Sequence, residues 1–509
     1  MRRENLKACL IAFFASFFML VVEIVAGRIL APYVGVNLYT WTSIIGVVLA
    51  GIGVGAYLGG VIADRYPHAS TLGWILFLSG LGAFSIPPLT HWIGGSLFHS
   101  SLMVRILLIT TLIFFIPSCF LGMISPVVVK LTVRTLEKAG SMVGRIYAFS
   151  TLGSLLGTFI TGFFLISWMG TRNLLFITGL FLLIAAPLFG GFFIQKKRIA
   201  AFLLLLPFLW PLHRYAFNPA LDQETFVLKE SNYYTIKLKG NHANDKERLI
   251  TLYLDNLTHS CSDPMDPFHL VYRYIRSYKE VVQWRAGRKE FFKTLFIGGG
   301  GYTFPRFVEA RYPKAEIDVV EIDPEVTQVS QTYLGIPPTS RIRTFNEDGR
   351  WFVMTRKGEE VYDFIFKDAF NDLSIPYHLT TKEFAMELKR LLKKDGLLLT
   401  NVIDRFERGS FLPSYIRTLE EVFGKGNVHL IVLGSFQDYR GVENRVVVTS
   451  PQKLDIEALA GSLDSIGEND RISYVMPQEK LQDCLNQFSP VILTDDYVPV
   501  DNLTAPNFR

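Results

Sequence analysis

The chain divides into a half of long apolar runs and a half of short alternating segments. Runs of roughly 20 apolar residues are long enough to cross a bilayer. Such runs lie near residues 8–27, 41–63, 72–90, 103–125, 145–168 and 173–194. A shorter seventh run, Ala200–Leu212, carries Pro207 and Pro211 and either spans with a tilt or lies in the membrane interface. The pattern predicts a multipass α-helical domain over residues 1–220 with six or seven spans.

Short β-type segments replace these runs from residue 221 onward. Alternating apolar and polar positions with β-branched residues occur in Thr225–Leu228, Tyr233–Leu238 and Leu249–Leu254. A helical stretch follows near Pro267–Trp284. We therefore expect a small antiparallel β-domain with a linking helix over residues 221–285.

Apolar strands alternate with helical stretches in the last part of the chain. The predicted strands are Phe292–Ile297, Ile317–Val320, Arg341–Asn346, Tyr362–Lys367, Leu397–Val402, Val428–Leu433 and Arg445–Thr449. Strands separated by helices are typical of a largely parallel sheet covered on both faces. Residues 286–509 are predicted to form a Rossmann-like, doubly wound α/β domain.

Charge is distributed unevenly between the two halves. Residues 1–220 hold 15 Lys+Arg and 4 Asp+Glu, a net +11, whereas the remainder is −6. This split excludes a single globular enzyme and a disordered chain, and it makes a nucleic-acid partner improbable because the basic excess lies among apolar runs. The four cysteines have no metal-ligand spacing, so structural thiols are expected.

Basic residues cluster in loops on one side of the predicted spans, which orients the bundle. The N-terminus and the even loops are predicted to be cytoplasmic, in a cell (inner) membrane protein. Six spans leave the C-terminal half in the cytoplasm, which is the expectation, and seven full spans put it outside. The orienting residues are Arg2, Arg3, Lys7, Arg65, Lys130, Arg134, Lys138, Arg145, Lys196, Lys197 and Arg198.

Several residues within the spans are candidates for a specific role. Gly51, Gly55 and Gly59 recur every fourth residue, which favours close helix packing over a dimer face. Glu23 lies inside the first span, where a carboxylate is a functional candidate or pairs with Arg28.

A nucleotide-site pattern opens the α/β part. The strand ending at Ile297 runs into Gly298-Gly299-Gly300-Gly301, a helix follows, and the next strand ends at Glu321. Gly298 and Gly300 let the backbone approach a ligand, and the acid about 20 residues on accepts hydrogen bonds from ribose hydroxyls.

Two further acids end the next two predicted strands. Asp348 follows the third strand, where it is a candidate for the adenine amino group, and Asp368 ends the fourth. Ligands bind at the carboxyl ends of strands in such sheets, so we expect Asp368 to face the crevice. For either acid alone, a helix cap or turn is the alternative.

These segments resemble the spermidine synthase family, in particular its membrane-fused members, over nearly the whole chain. The matching segments are Glu230–Tyr233, Leu252–His259, Asp266–His269, Asp348-Gly349, Asp368, Ile375–Thr380 and Thr494–Pro499. A shorter stretch that ends in Asp64-Arg65 resembles the loop between the second and third helices of major facilitator transporters. A half-transporter bundle or a membrane anchor fits that stretch as well as a carrier does.

The resemblance implies a polyamine aminopropyltransferase that moves an aminopropyl group from decarboxylated S-adenosylmethionine, a co-substrate, to putrescine or a related amine. It implies a doubly wound sheet of the S-adenosylmethionine-methyltransferase type, no permanently bound cofactor, no metal and a possible homodimer. Asp368 is then the general base. The implied donor-binding residues are His259, Gly298, Gly300, Glu321, Asp348 and Gly349. The implied amine-binding residues are His269, Asp372, Tyr377, His378, Asp495 and Asp496, the last two with a solvated turn as the alternative.

Two departures from the family pattern keep other functions open. Gly301 stands where the family has the Asp that holds the donor amine, and His259 stands at a Gln position. Loss of that acid suits a donor that retains its carboxylate, so an S-adenosylmethionine-dependent methyltransferase is the second hypothesis. The third is a non-catalytic membrane carrier or sensor of a polyamine or nucleoside, which Glu23, Asp64 and Arg65 favour.

Overall fold

The fold consists of two compact units, described here one at a time. The structure is a computed structural model that describes residues 3–94, 102–133, 135–190, 224–240, 248–255, 257–287, 289, 291–370, 375–405, 410–433, 442–464 and 473–505. The helical unit comprises Met1–Asp222 and Lys229–Thr235, and the α/β unit comprises Gln223–Leu228 and Ile236–Arg509.

The helical unit confirms the predicted multipass bundle. Its helices are α1 (Arg3–Val34), α2 (Leu38–Arg65), α3 (Ala69–Gly94), α4 (Leu102–Thr132), α5 (Ala139–Ile160) and α6 (Ile166–Phe189). By length and composition, 5 continuous helices in the described part could cross a membrane, and the last runs from Ala139 to Phe189 through a π-helical turn. The seventh apolar run lies outside the described residues.

This last helix folds back at Gly170, whose backbone (φ 74°, ψ 161°) leaves the helical region. On α1, the Phe13 carbonyl oxygen lies 2.1 Å from where a Cβ at Gly153 would be. The neighbouring Phe14 ring packs against Phe181 with centroids 4.9 Å apart. In a straight helix, residues 153 and 181 would be about 40 Å apart, so α5 and α6 form an antiparallel pair. The described bundle therefore contains six membrane-length segments.

Glycine packing joins α2 to α4, as the spacing predicted. A Cβ at Gly55 would lie 2.0 Å from the carbonyl oxygen of Cys119, and one at Gly59 would lie 2.7 Å from the Cα of Met123. Gly60, on another face of α2, has nothing within 4 Å of its Cβ position. The repeated glycines are thus contact points within the bundle.

Charged groups of the helical unit lie mainly near helix ends. Asp64 at the end of α2 pairs with Lys130 of α4 at 2.6 Å, and the Arg65 guanidinium lies over the ring of Tyr66. Glu23 is partly exposed on α1. Arg28 donates to the backbone carbonyl oxygens of Ser231 and Tyr233 rather than pairing with Glu23.

The small sheet has four strands, one more than predicted. They are β1 (Thr225–Glu230), β2 (Thr235–Gly240), β3 (Ile250–Leu254) and β4 (Leu257–Ser262), in that order across the sheet. β2 and β4 pair antiparallel with β3, and β3 is bulged between Leu252 and Tyr253. The predicted linking helix begins later than expected, at Arg273, and is α7 (Arg273–Ala286). The small and large sheets fall in the same unit, and a domain boundary at residue 286 stays a prediction.

The large sheet has eight strands and confirms the doubly wound fold. The strand order is β12-β10-β11-β9-β8-β5-β6-β7. β7, β6, β5, β8 and β9 are parallel, whereas β11, β10 and β12 are added antiparallel. The strands are β5 (Lys293–Ile297), β6 (Glu316–Val320), β7 (Arg343–Phe345), β8 (Tyr362–Lys367), β9 (Leu392–Arg405), β10 (Val428–Leu433), β11 (Val442–Thr449) and β12 (Ser473–Val475).

Helices cover both faces of this sheet. They are α8 (Thr303–Arg311), α9 (Pro324–Tyr333), α10 (Gly349–Thr355), α11 (Lys382–Leu391), α12 (Phe411–Phe423), α13 (Ile456–Asp464), α14 (Gln478–Asn486) and α15 (Val500–Thr504). Successive strand residues point to opposite faces, which explains the near-continuous apolar runs. On β8, for example, Phe366 joins the core layer of α7 and α8, whereas Ile365 joins that of α11 and α12.

The strand order creates a switch point between β5 and β8. The chain runs outward from β5 through β6 to β7 and then returns to β8 on the other side of β5. In open α/β sheets, ligands bind in the crevice outside the carboxyl ends of the strands at such a point. The candidate site is therefore expected after residues 297 and 367.

Candidate functional site

The glycine turn meets the end of β8 at close range. Gly298 has φ 96°, and a Cβ there would lie 2.4 Å from the carbonyl oxygen of Asp368. The Asp368 N–H donates to the Ile297 carbonyl oxygen at 2.9 Å, which ties the two strand ends together. Only glycine fits this position without strain or overlap, because the end of β8 lies against it, while the approach of its backbone to a ligand stays a prediction.

Glu321, which directly follows β6, accepts hydrogen bonds from the backbone of the glycine turn. Its Oε2 accepts the N–H groups of Gly299 (2.8 Å) and Gly300 (3.1 Å), and its Oε1 accepts the N–H of Asp323 (3.1 Å). Burial raises the pKa of this carboxyl, and the backbone N–H groups oppose that rise. Glu321 therefore shapes the loop, while its contact with a ribose stays a prediction.

Residues of β4 line the same edge of the unit. The His259 Nδ1 lies 3.0 Å from the Leu257 carbonyl oxygen, and burial lowers the pKa of this ring, with Phe370 as a further backbone partner. The next residue, Ser260, has its Oγ 1.9 Å from where a Cβ at Gly301 would be. A side chain at position 301 would overlap Ser260, which explains why glycine replaces the family acid there.

Asp368 is held by neutral donors. Asn401 Nδ2 donates to its Oδ1 at 2.8 Å, and the Tyr274 hydroxyl donates to the same carboxylate. Asn444 Nδ2 in turn donates to Asn401 Oδ1 at 3.1 Å, which orients the Asn401 amide. Burial raises the pKa of Asp368, opposed by these hydrogen bonds and by the charge of Lys367. A positioned carboxylate with a raised pKa is suited to accept a proton.

Asp348 caps α10 and also pairs with a histidine. Its Oδ1 accepts the N–H groups of Arg350 (2.9 Å) and Trp351 (3.0 Å), and its Oδ2 lies 2.8 Å from His378 Nε2. The hydrogen bond with His378 lowers the pKa of Asp348, and the backbone donors add to the effect. The capping alternative is therefore realised here. The neighbouring Gly349 lies against Ile297, which brings this helix start to the end of β5.

Asp495 lies in an ion pair with Arg350. The guanidinium forms two hydrogen bonds with the carboxylate, one of 2.7 Å between Nη1 and Oδ1, and the same Nη1 also donates to the His378 carbonyl oxygen. The hydrogen bond with Arg350 lowers the pKa of Asp495. Its charge is compensated, as expected of a structural turn acid. Asp496, the next residue, is exposed.

The remaining residues predicted to contact the amine lie in different environments. His269 pairs with Asp263 in the β4–α7 connection, at 3.5 Å. Tyr377 is 61% exposed and packs edge-on against His378. Asp372 lies outside the described residues. The described carboxyl edge thus joins the following predicted residues: His259, Gly298, Gly300, Glu321, Asp348, Gly349, His378 and Asp368.

Sequence reasoning missed four residues of this edge. Tyr274 and Asn401 hold Asp368, Arg350 holds Asp495, and the buried Lys367 lies beside Asp368. Asn401 and Lys367 carried a usable signal, because each is a polar residue next to a run of apolar strand residues. Tyr274 carried none, since a tyrosine on an amphipathic helix is ordinary core composition.

Comparison with known proteins agrees with this geometry. Residues 286–433 match the Spermine/spermidine synthase domain. The polyamine aminopropyltransferase of Vibrio vulnificus is 30% identical over 210 residues, which cover 40% of this chain and 68% of that protein. The chain belongs to the spermidine synthase family. Membership of the spermidine synthase family makes it a transferase, as predicted from the motifs.

Other relatives extend the comparison in two directions. Polyamine aminopropyltransferase 2 of Aquifex aeolicus is 24% identical over 435 residues, 82% of each chain, so the similarity reaches into the apolar half. The eEF1A lysine and N-terminal methyltransferase of Mus musculus is 29% identical over 119 residues, 22% of this chain and 17% of that protein. Parts of the chain are therefore similar in sequence to transferases of both types.

Proposed function

We propose that this chain is a membrane-bound polyamine aminopropyltransferase that uses decarboxylated S-adenosylmethionine and putrescine or a related amine. Asp368 is the general base. The observation that carries the proposal is the position of Asp368 at the β5–β8 switch point, where Asn401 and Tyr274 hold a carboxylate of raised pKa.

The chemistry requires such a base. An alkyl ammonium has a pKa of about 10, so a diamine is protonated near neutral pH and cannot attack. Asp368 accepts a proton from the attacking amine as its nitrogen forms a bond to the donor's aminopropyl carbon. The bond from that carbon to the sulfonium sulfur breaks, and the electron pair leaves with a neutral thioether.

The donor and the amine have separate candidate residues. We propose that His259, Gly298, Gly300, Glu321, Asp348 and Gly349 surround the nucleoside of the donor. Tyr377 and His378 border the entry of the amine, with His269, Asp372 and Asp496 as further candidates. Asp495 contributes by holding Arg350 rather than by free charge.

Product analysis tests this function. The purified full chain in detergent receives putrescine with decarboxylated S-adenosylmethionine, and products are resolved by mass. Asp368→Asn is expected to lower turnover about 10²–10⁴-fold while the circular dichroism spectrum stays unchanged. Asp395→Asn, at a half-exposed carboxylate that pairs with Lys289 and Arg285, is the control and keeps full turnover. Unchanged spermidine formation by Asp368→Asn would refute the assignment.

A methyltransferase is the second candidate, favoured by the contact of Gly301 with Ser260, which leaves no carboxylate there for a donor amine. In the same assay, S-adenosylmethionine with an amine would then give a methylated product. Binding without turnover, together with uptake into vesicles that Glu23→Gln abolishes, would instead favour the carrier hypothesis.

The side of the membrane on which the reaction occurs depends on the number of crossings. Six crossings put the active site in the cytoplasm and seven put it opposite. Within the helical unit, Glu230 accepts the N–H of Thr171 at 2.8 Å, and Arg28 donates to Ser231. Arg28 lies near the end of α1, and Thr171 directly follows the fold at Gly170, after α5. Asp64 and Lys130 lie near the ends of α2 and α4, so they are at the opposite ends of the helices. Within the helical unit, residues 229–235 therefore lie beside the helix ends at Arg28 and Thr171.

Thiol labelling in intact cells distinguishes the two arrangements. Cysteine is introduced at the exposed Asn232, and at the exposed Ser141 as the control on the predicted inner side. A membrane-impermeant reagent that labels Asn232→Cys but not Ser141→Cys favours seven crossings. Protection of both until the cells are lysed favours six. Sedimentation in detergent tests the proposed homodimer.

A further inference from the structure

Lys367 is a buried lysine directly beside the proposed base. It is the last residue of β8 and is only 3% exposed. Side chains alternate along the strand, so Lys367 points to the α11–α12 face, whereas Phe366 points to the α7 face. Its Nζ lies 4.5 Å from the centroid of the Tyr415 ring on α12. A lysine in such a position needs an explanation, because burial of an ammonium group is unfavourable.

The surroundings compensate this charge only in part. The face of an aromatic ring attracts a cation, which accounts for the position of Tyr415. Among the described residues, no carboxylate oxygen lies within ion-pair distance of Lys367 Nζ, and the acid whose charge acts on it is its neighbour Asp368. Burial lowers the pKa of Lys367 to about 7, and Asp368 opposes this. The lysine and the base are therefore coupled.

The other groups around the pair carry no charge near neutral pH. Tyr415 faces Lys367 from α12, and Tyr274 and Tyr278 face Asp368 from α7. Burial raises the pKa of all three tyrosines, so they stay neutral. β9 contributes the uncharged Asn401, and β5 contributes the backbone at Gly298. Within the described part of the chain, Lys367 is the cation whose charge acts on Asp368.

We propose that Lys367 is a positioning residue that keeps Asp368 ionised, so that the base is ready to accept the proton of the amine. The proposal rests on the function assigned to Asp368 above. The ammonium is charged on the acid side of neutrality, where the partly buried Asp368 would otherwise take up a proton. At higher pH Asp368 is ionised without help, and the charge of Lys367 is no longer needed.

The pH dependence of kcat/KM between pH 5 and pH 9 tests the proposal. Lys367→Met keeps an unbranched apolar stem and removes the charge. Its acidic limb is expected to move up by about one pH unit, since a nearby opposite charge shifts a pKa by that order. The value of kcat/KM then falls by up to about tenfold along the acidic limb and recovers at pH 9.

Two further variants separate a charge effect from a packing effect. Lys367→Arg keeps the charge and is expected to restore the wild-type acidic limb. Lys393→Met removes a lysine that pairs with Asp363 at the other end of β8, and its profile is expected to match the wild type. Thermal unfolding of each variant shows whether the fold is retained.

Failure of this inference is distinct from failure of the proposed function. Loss of activity by the same factor at every pH in Lys367→Met would overturn the charge role and leave Asp368 as the base. An acidic limb that Lys367→Arg does not restore, in a folded variant, would also overturn it. Full activity of Asp368→Asn would instead remove the assigned function on which the inference rests.

Discussion

The helical unit and the α/β unit both depend on glycines that admit another backbone, but the result differs. In the helical unit, Gly55 and Gly153 let helices touch along their length, at 2.0 Å and 2.1 Å from Cβ position to carbonyl oxygen. In the α/β unit, Gly298 brings two strand ends together at a crevice. The first arrangement is the close packing that a bundle in a bilayer would need, because lipid supplies no hydrophobic driving force between helices. The second joins the ends of β5 and β8 directly beside the carboxylate of Asp368.

The charged groups also differ between the helical unit and the α/β unit. Asp64 and Lys130 form an ion pair near helix ends in the helical unit. At the carboxyl edge of the α/β unit, Arg350 compensates Asp495, whereas Asp368 is met mainly by neutral donors. The pKa is lowered for Asp495, which the hydrogen bond with Arg350 compensates, and raised by burial for Asp368, which we propose as the base. The comparison teaches that the residue type alone does not reveal which acid reacts.

The largest effect is expected from replacing Gly298, the glycine at which the ends of β5 and β8 meet. Gly298→Val forces a branched side chain into a backbone with φ 96° and against the Asp368 carbonyl oxygen. Backbone strain of about 1–3 kcal/mol, added to the overlap, should destabilise the unit and lower kcat/KM more than a hundredfold. Gly426→Val is the control, since nothing lies within 4 Å of its Cβ position. Wild-type turnover of Gly298→Val would break the distinction between the two uses of glycine.

The next effect is expected at the helix contact. Gly55→Leu should lower the stability of the helical unit by about 1–3 kcal/mol or more, because the added side chain separates α2 from α4. Gly60→Leu, on the open face of the same helix, should melt like the wild type. Thermal unfolding in detergent measures both. Equal melting temperatures for the two variants would contradict the glycine-packed interface.

A smaller effect on activity is expected from replacing Asn401, the hydrogen-bond donor to Asp368. Asn401→Leu removes a hydrogen bond from a partly buried carboxylate, an interaction worth about 1.5–3 kcal/mol. The pKa of Asp368 is already raised by burial, and loss of this donor raises it further, so activity is lost on the acid side and regained as pH rises. Asn427→Leu, which instead loses a bond to the Phe423 carbonyl oxygen, is the control for the pH profile of kcat/KM. An unmoved acidic limb would show that Asn401 does not tune the base.

The smallest effect on stability is expected from replacing Asp495, whose charge Arg350 compensates. Asp495→Asn breaks a partly exposed pair and should cost less than about 1 kcal/mol in unfolding free energy at pH 7. Because the folded-state pKa of Asp495 is lowered, its contribution is present above pH about 4 and is lost as pH falls further. Denaturation at pH 7 and pH 3 measures this, with Asp496→Asn as the exposed control. A large loss of turnover without loss of stability would make Asp495 a substrate contact after all.

Much of the fold was predictable because it depends on patterns among residues that are close in sequence. Apolar runs of membrane length and the strand–glycine–helix–acid spacing after Phe292 each depend on residues close in sequence. The start of α7 was misjudged, because Pro267–His269 continued an apolar pattern that ends in a turn-rich connection. β4 was missed, since Thr258–Ser262 is polar and is held by pairing with β3 rather than by its own periodicity.

The sequence by itself determined that a basic, apolar bundle precedes a spermidine-synthase-type domain, and that acids end its strands. These features follow from periodicity and residue type, which need no partner. Only the tertiary structure decided what each acid does. Burial, neighbouring cations and hydrogen-bond donors come from residues distant in sequence, such as Asn401 for Asp368 and Arg350 for Asp495. Likewise, Ser260 explains Gly301 through a contact that no spacing along the chain reveals.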